Sequence, residues 1–293
     1  STCDFLLMCE DIVRVPDAIF KPRTLYYDIE VLALNIDEFP TSDKCPVIQI
    51  SYKLNDDEGV LCLYDTPGEK FTSFVSEEDM LVAFAQMIKY NKPDFVSGYN
   101  SNSFDMPYIL DRMRIFGLPT DFCKKKSFDV AYRKTMRASK QMGSVEVVLY
   151  KSPGFILFDQ MAVLKADVTK RLDSYALKNV CSVYLKDDNK LDLAYRRIPI
   201  LFKTVEGRQK IASYCLKDTV LLDELESKLM LITNSVAMTN VLGCTFDTTL
   251  NRGLVFKLIG KLKQYTERFG FLIPTFSEEQ KPKFNGSYKG AFV

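Results

Sequence analysis

The sequence predicts an α/β fold, a mixed β-sheet flanked by helices, and three observations carry that expectation. Three β-type runs come first, at residues 25–34, 46–54 and 59–65. Helix-type and strand-type runs then alternate up to about residue 232. Beyond about 236 the rhythm changes to a basic amphipathic helix followed by an irregular segment. Strands succeeded by helix–strand units are the pattern that covers both faces of a sheet with helices.

Each element has a local reason. "LYYDIEVLAL" (25–34) and "PVIQISYKL" (46–54) are rich in aromatic and β-branched residues, and "GVLCLYD" (59–65) follows the short polar turn "NDDE", a hairpin signal. In "SEEDMLVAFAQMIKYNKP" Ser76 and Asp79 form a capping box, Met80, Leu81, Phe84 and Ile88 make one apolar face, and Pro93 follows the end. "DFVSGYN" (94–100) reads as a short strand, and "FDMPYILDRMRIFG" as a helix starting at Asp105 and stopping at Gly117. "VEVVLY" (145–150) and "FILFDQ" (155–160), separated by "KSPG", read as a further β pair, and helices follow at about 171–183 and 206–232. Three regions result: 1–20 as the end of a preceding domain, 21–235 as the α/β domain, and 236–293 as a helical segment.

Composition narrows the chemistry. An apolar share of 47%, a charged share of 26% and a net charge of +1 describe an ordinary globular chain, so any nucleic-acid surface must be a local groove. No apolar run reaches the roughly 18–20 residues that span a membrane, and the first fifteen residues lack the layout of a signal peptide. The 8 cysteines are scattered without a C-x-x-C pair, which fits reduced thiols in an intracellular protein. The histidine count is 0, which removes Ser-His and Cys-His dyads, histidine bases and His-ligated zinc. Catalysis would then run on carboxylates, tyrosine, lysine or a hard metal ion. The absence of an initial Met and the ending "YKGAFV" suggest a piece of something longer.

Carboxylates stand where burial makes them costly. Asp28 and Glu30 are i and i+2 on a strand, so they project from one face and their oxygens can share a divalent cation. With 38 acids in 293 positions, such pairs arise by chance about five times, so the apolar strand around them is what singles them out. Asp105, in "GYNSNSFDMPYILDR" (98–112), on its own reads as a helix N-cap before it reads as a ligand. Tyr214 and Asp218, in "SYCLKDTVLLDEL" (213–225), stand one turn apart on a helix face that Leu221, Leu222 and Leu225 turn toward the core. A simple buried hydrogen bond would explain that pair as well.

Together, strand "DIE" (28–30), "YNSNSFD" (99–105) and "YCLKD" (214–218) resemble the three exonuclease motifs of family-B DNA polymerases. The likeness extends over about residues 22–293. "FDQMAVLKADVTKRLDSYALKNVCSVYL" (158–185) resembles the family's F-D-L to S-Y-x-L-N-x-V segment, and "LGCTFDTTLNRGLVFKLIGKLKQYTERFGFLIP" (242–274) its S-R-G-Q stretch. "YKGAFV" (288–293) is similar to the linker before the polymerase palm. Departures are "NRG" at 251–253, Ala291 in the linker and a loose match at Lys178-Asn179, none of them at the carboxylates. The resemblance implies a ribonuclease-H-like fold whose C-terminal helical segment leads toward a polymerase palm. Its loops hint at a large DNA virus as the source. The palm motifs D-x-x-S-L-Y-P and D-T-D are not present, so this stretch should not polymerise.

By the same resemblance the activity is proofreading 3′→5′ hydrolysis of single-stranded or mismatched DNA ends with two Mg²⁺ or Mn²⁺ ions. Asp28 would bridge both ions, Glu30 and Asp218 would complete one site, and Asp105 would help to hold the other. Tyr214 would orient the attacking water, and Asn100 and Phe104 would contact the terminal nucleotides. Expected partners are the 3′ end of DNA, the rest of a polymerase chain and a processivity factor, at the site of DNA replication (the nucleus for a viral or eukaryotic source), with no membrane. The basic stretch "KKKSFDVAYRKTMR" (124–137) reads as a solvated helix face or a phosphate track. The 145–160 pair reads as part of the sheet or as the family's strand-separating hairpin. Two other functions remain open: a free-standing RNA or oligonucleotide exonuclease, against which the linker speaks, and an inactive DNA-binding module, against which the retained acids speak.

Overall fold

The computed structural model describes residues 21–35, 37–122, 131–139, 143–152, 154–167, 171–186 and 193–271, with the side chains of 131–151, 254 and 264 outside that description. The expectations for 1–20, 124–130 and 288–293 therefore lie outside the described residues. The described residues form two compact units, one up to Leu229 and one from Met230.

The first unit is built on a six-stranded mixed sheet in the order β4-β3-β2-β1-β5-β8. Its strands are β1 (Thr24–Val31), β2 (Val47–Leu54), β3 (Asp57–Leu63), β4 (Phe71–Phe74), β5 (Phe95–Gly98) and β8 (Ile156–Asp159). β1 runs antiparallel to β2 and parallel to β5, so the strand carrying Asp28 and Glu30 lies inside the sheet. Its register against β2 slips between Glu30 and Val31, a bulge of the kind that re-aims a side chain.

The pleat sends alternate β1 residues to opposite faces. Leu25, Tyr27, Ile29 and Val31 enter the main core with Met80, Leu81, Phe84, Met106 and Ile109 of helices α1 (Glu77–Asn91) and α2 (Asp105–Ile115). Tyr27 and Phe84 meet with ring centroids 5.6 Å apart. The other face is covered by α6 (Val205–Leu229), whose Ala212 and Leu216 pack with Val60 and Cys62 of β3. The capping box of α1 forms as expected: Ser76 Oγ accepts from the Asp79 amide at 3.1 Å and meets Asp79 Oδ2 at 2.7 Å. Gly117, at φ +69°, follows α2 in the left-handed region that glycine tolerates.

A buried ion pair fixes the helix that begins with Asp105. Arg112 of α2 donates through Nε to Glu77 Oε1 at 2.8 Å and through a second nitrogen to Oε2 at 2.5 Å. Glu77 also accepts from the Val47 amide at 2.8 Å, and Arg112 reaches the Ser42 carbonyl at 3.0 Å. One pair thus ties α1, α2 and the start of β2 together.

Four local expectations are corrected. Residues 143–151 (β7) do not pair with 155–160; they pair antiparallel with β6 (Ala131–Ser139), from Ala131↔Lys151 to Ser139↔Gly143. The "KSPG" link does form a tight turn, seen in the Ser152↔Phe155 bridge, but β8 is already engaged in parallel pairing with β5. The basic stretch accordingly contributes a strand at 131–139 and no helix there. The helix expected over 171–183 begins only at Leu177 (α4, Leu177–Leu185), and the one expected to 232 stops at Leu229, because Met230 takes a left-handed conformation at φ +51°.

The second unit comprises α7 (Leu231–Leu242), α8 (Phe246–Asn251) and α9 (Leu254–Arg268). What reads in sequence as one amphipathic helix is broken at Arg252 and Gly253, both extended. The short helix α3 (Gln160–Ala166) follows β8, and α5 (Ile198–Leu201) follows a single 3₁₀ turn at Tyr195–Arg197.

Removing one partner of the Glu77–Arg112 pair leaves a buried, uncompensated charge. Arg112→Ala is expected to lower stability by about 3–5 kcal/mol, measured by urea unfolding, whereas Arg114→Ala on the exposed side should change it by less than about 0.5 kcal/mol.

Candidate active site

The strand places the first two acids. Asp28 and Glu30 are half-buried on the β1 face that α6 covers, while their neighbours Tyr27, Ile29 and Val31 are buried on the other. α6 is docked there by a hydroxyl network. Ser51, the β2 partner of Asp28, donates to the Cys215 carbonyl at 2.9 Å, and its Oγ lies 2.5 Å from Thr219 Oγ1. This contact falls on the helical turn that carries Tyr214 and Asp218. The Tyr214 hydroxyl hydrogen-bonds the Asp218 carboxylate one turn on, and burial with the nearby acids Asp218 and Glu30 pushes its phenol well above the ordinary range.

The turn after β5 brings the remaining groups. Asn100 takes a left-handed conformation at φ +60°, which asparagine accommodates, and its carbonyl accepts from the Ser103 and Phe104 amides. Phe104 is the N-cap residue of α2 and gives no side-chain cap, so Asp105 is the first helical residue. The capping reading of Asp105 is thereby set aside. Its carboxylate is buried, accepts from the Ile29 amide between the two strand acids, and is pushed up to about 7, chiefly by burial and then by the nearby Asp159.

Asp28, Glu30, Asn100, Phe104, Asp105, Tyr214 and Asp218 all line one cavity of about 490 Å³. The structure therefore brings together every residue that the sequence singles out. Ile29 is buried in the core, as its place on the strand suggests, although its backbone reaches the same cavity.

Two contributors escape sequence reasoning. Cys215 Sγ lies with oxygens of Asp28 and Glu30 in a cluster whose atoms are all within 4.8 Å of one another. Burial, with Asp28 and Glu30 beside it, pushes its thiol well above the ordinary range, so it stays protonated, 3.1 Å from Ser51 Oγ and 3.8 Å from Asp28 Oδ2. A protonated thiol acts here as a donor to the acids, and a hard cation prefers their oxygens. The second is Phe39, 73% exposed on the loop after β1, whose ring meets Phe104 edge-on at 5.6 Å beside the cavity that both line. Tyr99 and Tyr195 also line the cavity.

This constellation can be compared with known proteins. A family model described as DNA polymerase family B, exonuclease domain, matches residues 1–180, more than half of the 293. The chain belongs to this family. It carries the family-B exonuclease domain, a hydrolase fold that generally works with divalent metals, and the mixed sheet with helices on both faces fits its ribonuclease-H-like architecture. The matched span includes Asp28, Glu30, Asn100, Phe104 and Asp105, while Tyr214 and Asp218 lie beyond it. DNA polymerase delta catalytic subunits are similar over most of the chain. That of Plasmodium falciparum (isolate K1 / Thailand) is 33% identical over 287 residues, covering 93% of this chain and 26% of the relative. Those of Caenorhabditis elegans and Schizosaccharomyces pombe are each 32% identical over 92% of this chain and 26% of the relative. The chain thus spans about a quarter of the length of these relatives. Among the described residues no helix is long and apolar enough to cross a membrane.

The raised Asp105 carboxyl has a thermodynamic sign. With a folded value of about 7 against an ordinary 3.8, the metal-free folded chain binds more protons than the unfolded chain between those values. Its stability from this group is full below the unfolded value and is lost as pH rises through about 7. Metal-free Asp105→Asn is therefore expected to melt above the parent chain at pH 8, and the difference should close toward pH 4. A thermal-melt series in EDTA across that range checks it.

Proposed function

We propose that the chain hydrolyses the 3′-terminal phosphodiester of single-stranded or frayed DNA, as the proofreading 3′→5′ exonuclease of a longer DNA-directed DNA polymerase. The observation that carries this reading is the convergence of four carboxylates and a phenol, drawn from a strand, a turn and a helix, on one cavity flanked by Phe39 and Phe104. Family membership and the delta-subunit relatives support it, and with them the expectation that DNA and the remainder of a polymerase chain are its partners.

The donor set suits a hard divalent cation. Every candidate ligand in the cavity is a carboxylate oxygen, and the chain has no imidazole to compete. The buried, proton-retaining Asp105 is a group that a cation would relieve. Asp28, Glu30 and Asp218 would hold one Mg²⁺ or Mn²⁺, and Asp28 with Asp105 a second. Bound there, the ions would supply an activated water and neutralise charge on the phosphate and the departing 3′-oxygen.

The chain's own groups perform the rest. Tyr214, held as a neutral phenol by its surroundings and donating to Asp218, keeps its oxygen lone pairs to accept from the attacking water and orient it. Phe104 and Phe39 offer ring faces and edges to the last bases, a sequence-tolerant grip that proofreading requires. Asn100 presents an amide at the same rim.

The test is a labelled primer–template with a 3′ mismatch, incubated with Mg²⁺ or Mn²⁺ and then with EDTA. Laddering from the 3′ end that needs metal is expected; metal binding without cleavage would mean that the site needs the rest of the polymerase chain to present the strand, and loss of both would favour the inactive-module reading. Asp28→Ala or Asp218→Ala should each reduce hydrolysis by at least about 10³-fold with the circular-dichroism spectrum kept; retained activity in either would overturn the assignment. Tyr214→Phe should slow hydrolysis by about 10²-fold with single-strand binding unchanged in a fluorescence-anisotropy titration.

A further inference from the structure

Asp159 is a buried carboxylate to which the proposed chemistry gives no part. It ends β8, is 4% exposed, and does not itself line the cavity. Its Oδ1 accepts from the Ala162 amide at 3.2 Å, capping α3, and from the Asn100 amide at 3.0 Å. Its Oδ2 accepts from the Asn102 amide at 3.2 Å. One side chain therefore joins a helix N-terminus to the turn that presents Asn100, Phe104 and Asp105.

That turn needs such a hold. Asn100 is in the left-handed region, and α2 starts without a side-chain cap. The internal bonds of the turn run from the Ser103 and Phe104 amides to the Asn100 carbonyl and from the Met106 amide to the Ser101 carbonyl, so they leave the Asn100 and Asn102 amides to Asp159. A helix needs only one acceptor at its N-cap. An aspartate that accepts from the Ala162 and Met161 amides of α3 and also from two amides of a turn 57 and 59 residues away serves more than α3.

We propose that Asp159 is a positioning residue of the exonuclease site: by clamping the Asn100 and Asn102 amides it fixes the 99–104 turn and so sets where the Asp105 carboxylate meets a divalent ion. This rests on the exonuclease reading, and it makes β8 and α3 part of the machinery although neither touches substrate. Outer groups that orient a metal ligand typically change metal affinity by about 10–100-fold when removed.

Asp159→Ser separates the two duties. Serine is a good N-cap and keeps the bond to the Ala162 amide, but its side chain is too short to reach the turn. In the 293-residue chain, calorimetric Mn²⁺ titration is expected to show binding weakened by about 10–100-fold with little change in melting temperature. The half-saturating Mn²⁺ for hydrolysis should rise by the same factor, with activity recovering at high Mn²⁺. Hydrogen exchange should accelerate at the Asn100 and Asn102 amides. Asp159→Asn, which keeps the Oδ1 bonds and sets an amide N–H against Asn102, should give a smaller shift. Unchanged Mn²⁺ affinity, unchanged exchange at both amides, or a loss that no Mn²⁺ concentration restores would each overturn the proposal. A parent chain that neither binds Mn²⁺ nor degrades DNA would instead remove the exonuclease reading, while the exchange data would still decide whether Asp159 holds the turn.

Discussion

Mutual repulsion among acids is the constraint around which this domain is organised. Asp28, Glu30, Asp105 and Asp218 line one cavity, and Asp159 lies close enough to Asp105 to raise its carboxyl. Like charges at such range favour protonation and, failing that, separation. The fold opposes both outcomes with backbone donors. Asp105 accepts from the Ile29 amide and Asp159 from the Ala162, Asn100 and Asn102 amides, so the two most buried acids are held by peptide groups that cannot move without breaking the sheet or a helix start. The neutral donors Tyr214 and Cys215 complete the surroundings, each kept protonated by burial and then by the acids beside it.

Rigid elements make that arrangement durable. β1 is an interior strand with partners on both edges, and the Ser51–Thr219 contact docks α6 onto the adjoining strand. α2, which begins with Asp105, is anchored at its far end by the bidentate Arg112–Glu77 pair. Sites placed on strands and helices keep their geometry better than sites on loops, and here the 99–104 turn and the loop that carries Phe39 depart from that rule. The bonds from the turn's Asn100 and Asn102 amides to Asp159 tie this irregular segment, which leads directly into Asp105, to the end of β8.

Much of this was readable from local pattern. Period-two alternation puts Asp28 and Glu30 on one face, and i, i+4 spacing puts Tyr214 beside Asp218; neither inference requires knowledge of distant chain. Ser76, Pro93 and Gly117 punctuate helices as their chemistry dictates. What escaped was non-local. Strand partners are chosen by competition, so β8 went to β5 and left β7 to β6, a result that the short "KSPG" link alone does not reveal. Met230 has no residue-type signal for a left-handed break, yet the helix ends there. Cys215 and Phe39 matter through what they touch, and Asp159 looked like the end of an ordinary strand because its three amide partners lie in other segments or in the next helix.

The lack of histidine gives the choice of tyrosine its meaning. An imidazole in this cleft would titrate near neutrality and, beside four carboxylates, would hold a proton and a positive charge that compete with a divalent cation for the same oxygens. A phenol avoids that conflict. Burial and the acids around Tyr214 push its ionisation away from neutrality, so over the physiological range it is an uncharged hydroxyl with one proton committed to Asp218 and lone pairs facing the cavity. No lysine or arginine lines the cavity among the described residues, so on the proposed function the balancing charge is that of bound divalent ions. The side chains that line the cavity supply negative charge, neutral donors and aromatic surface, a set that suits the oxygen-bound divalent ions of the proposed function.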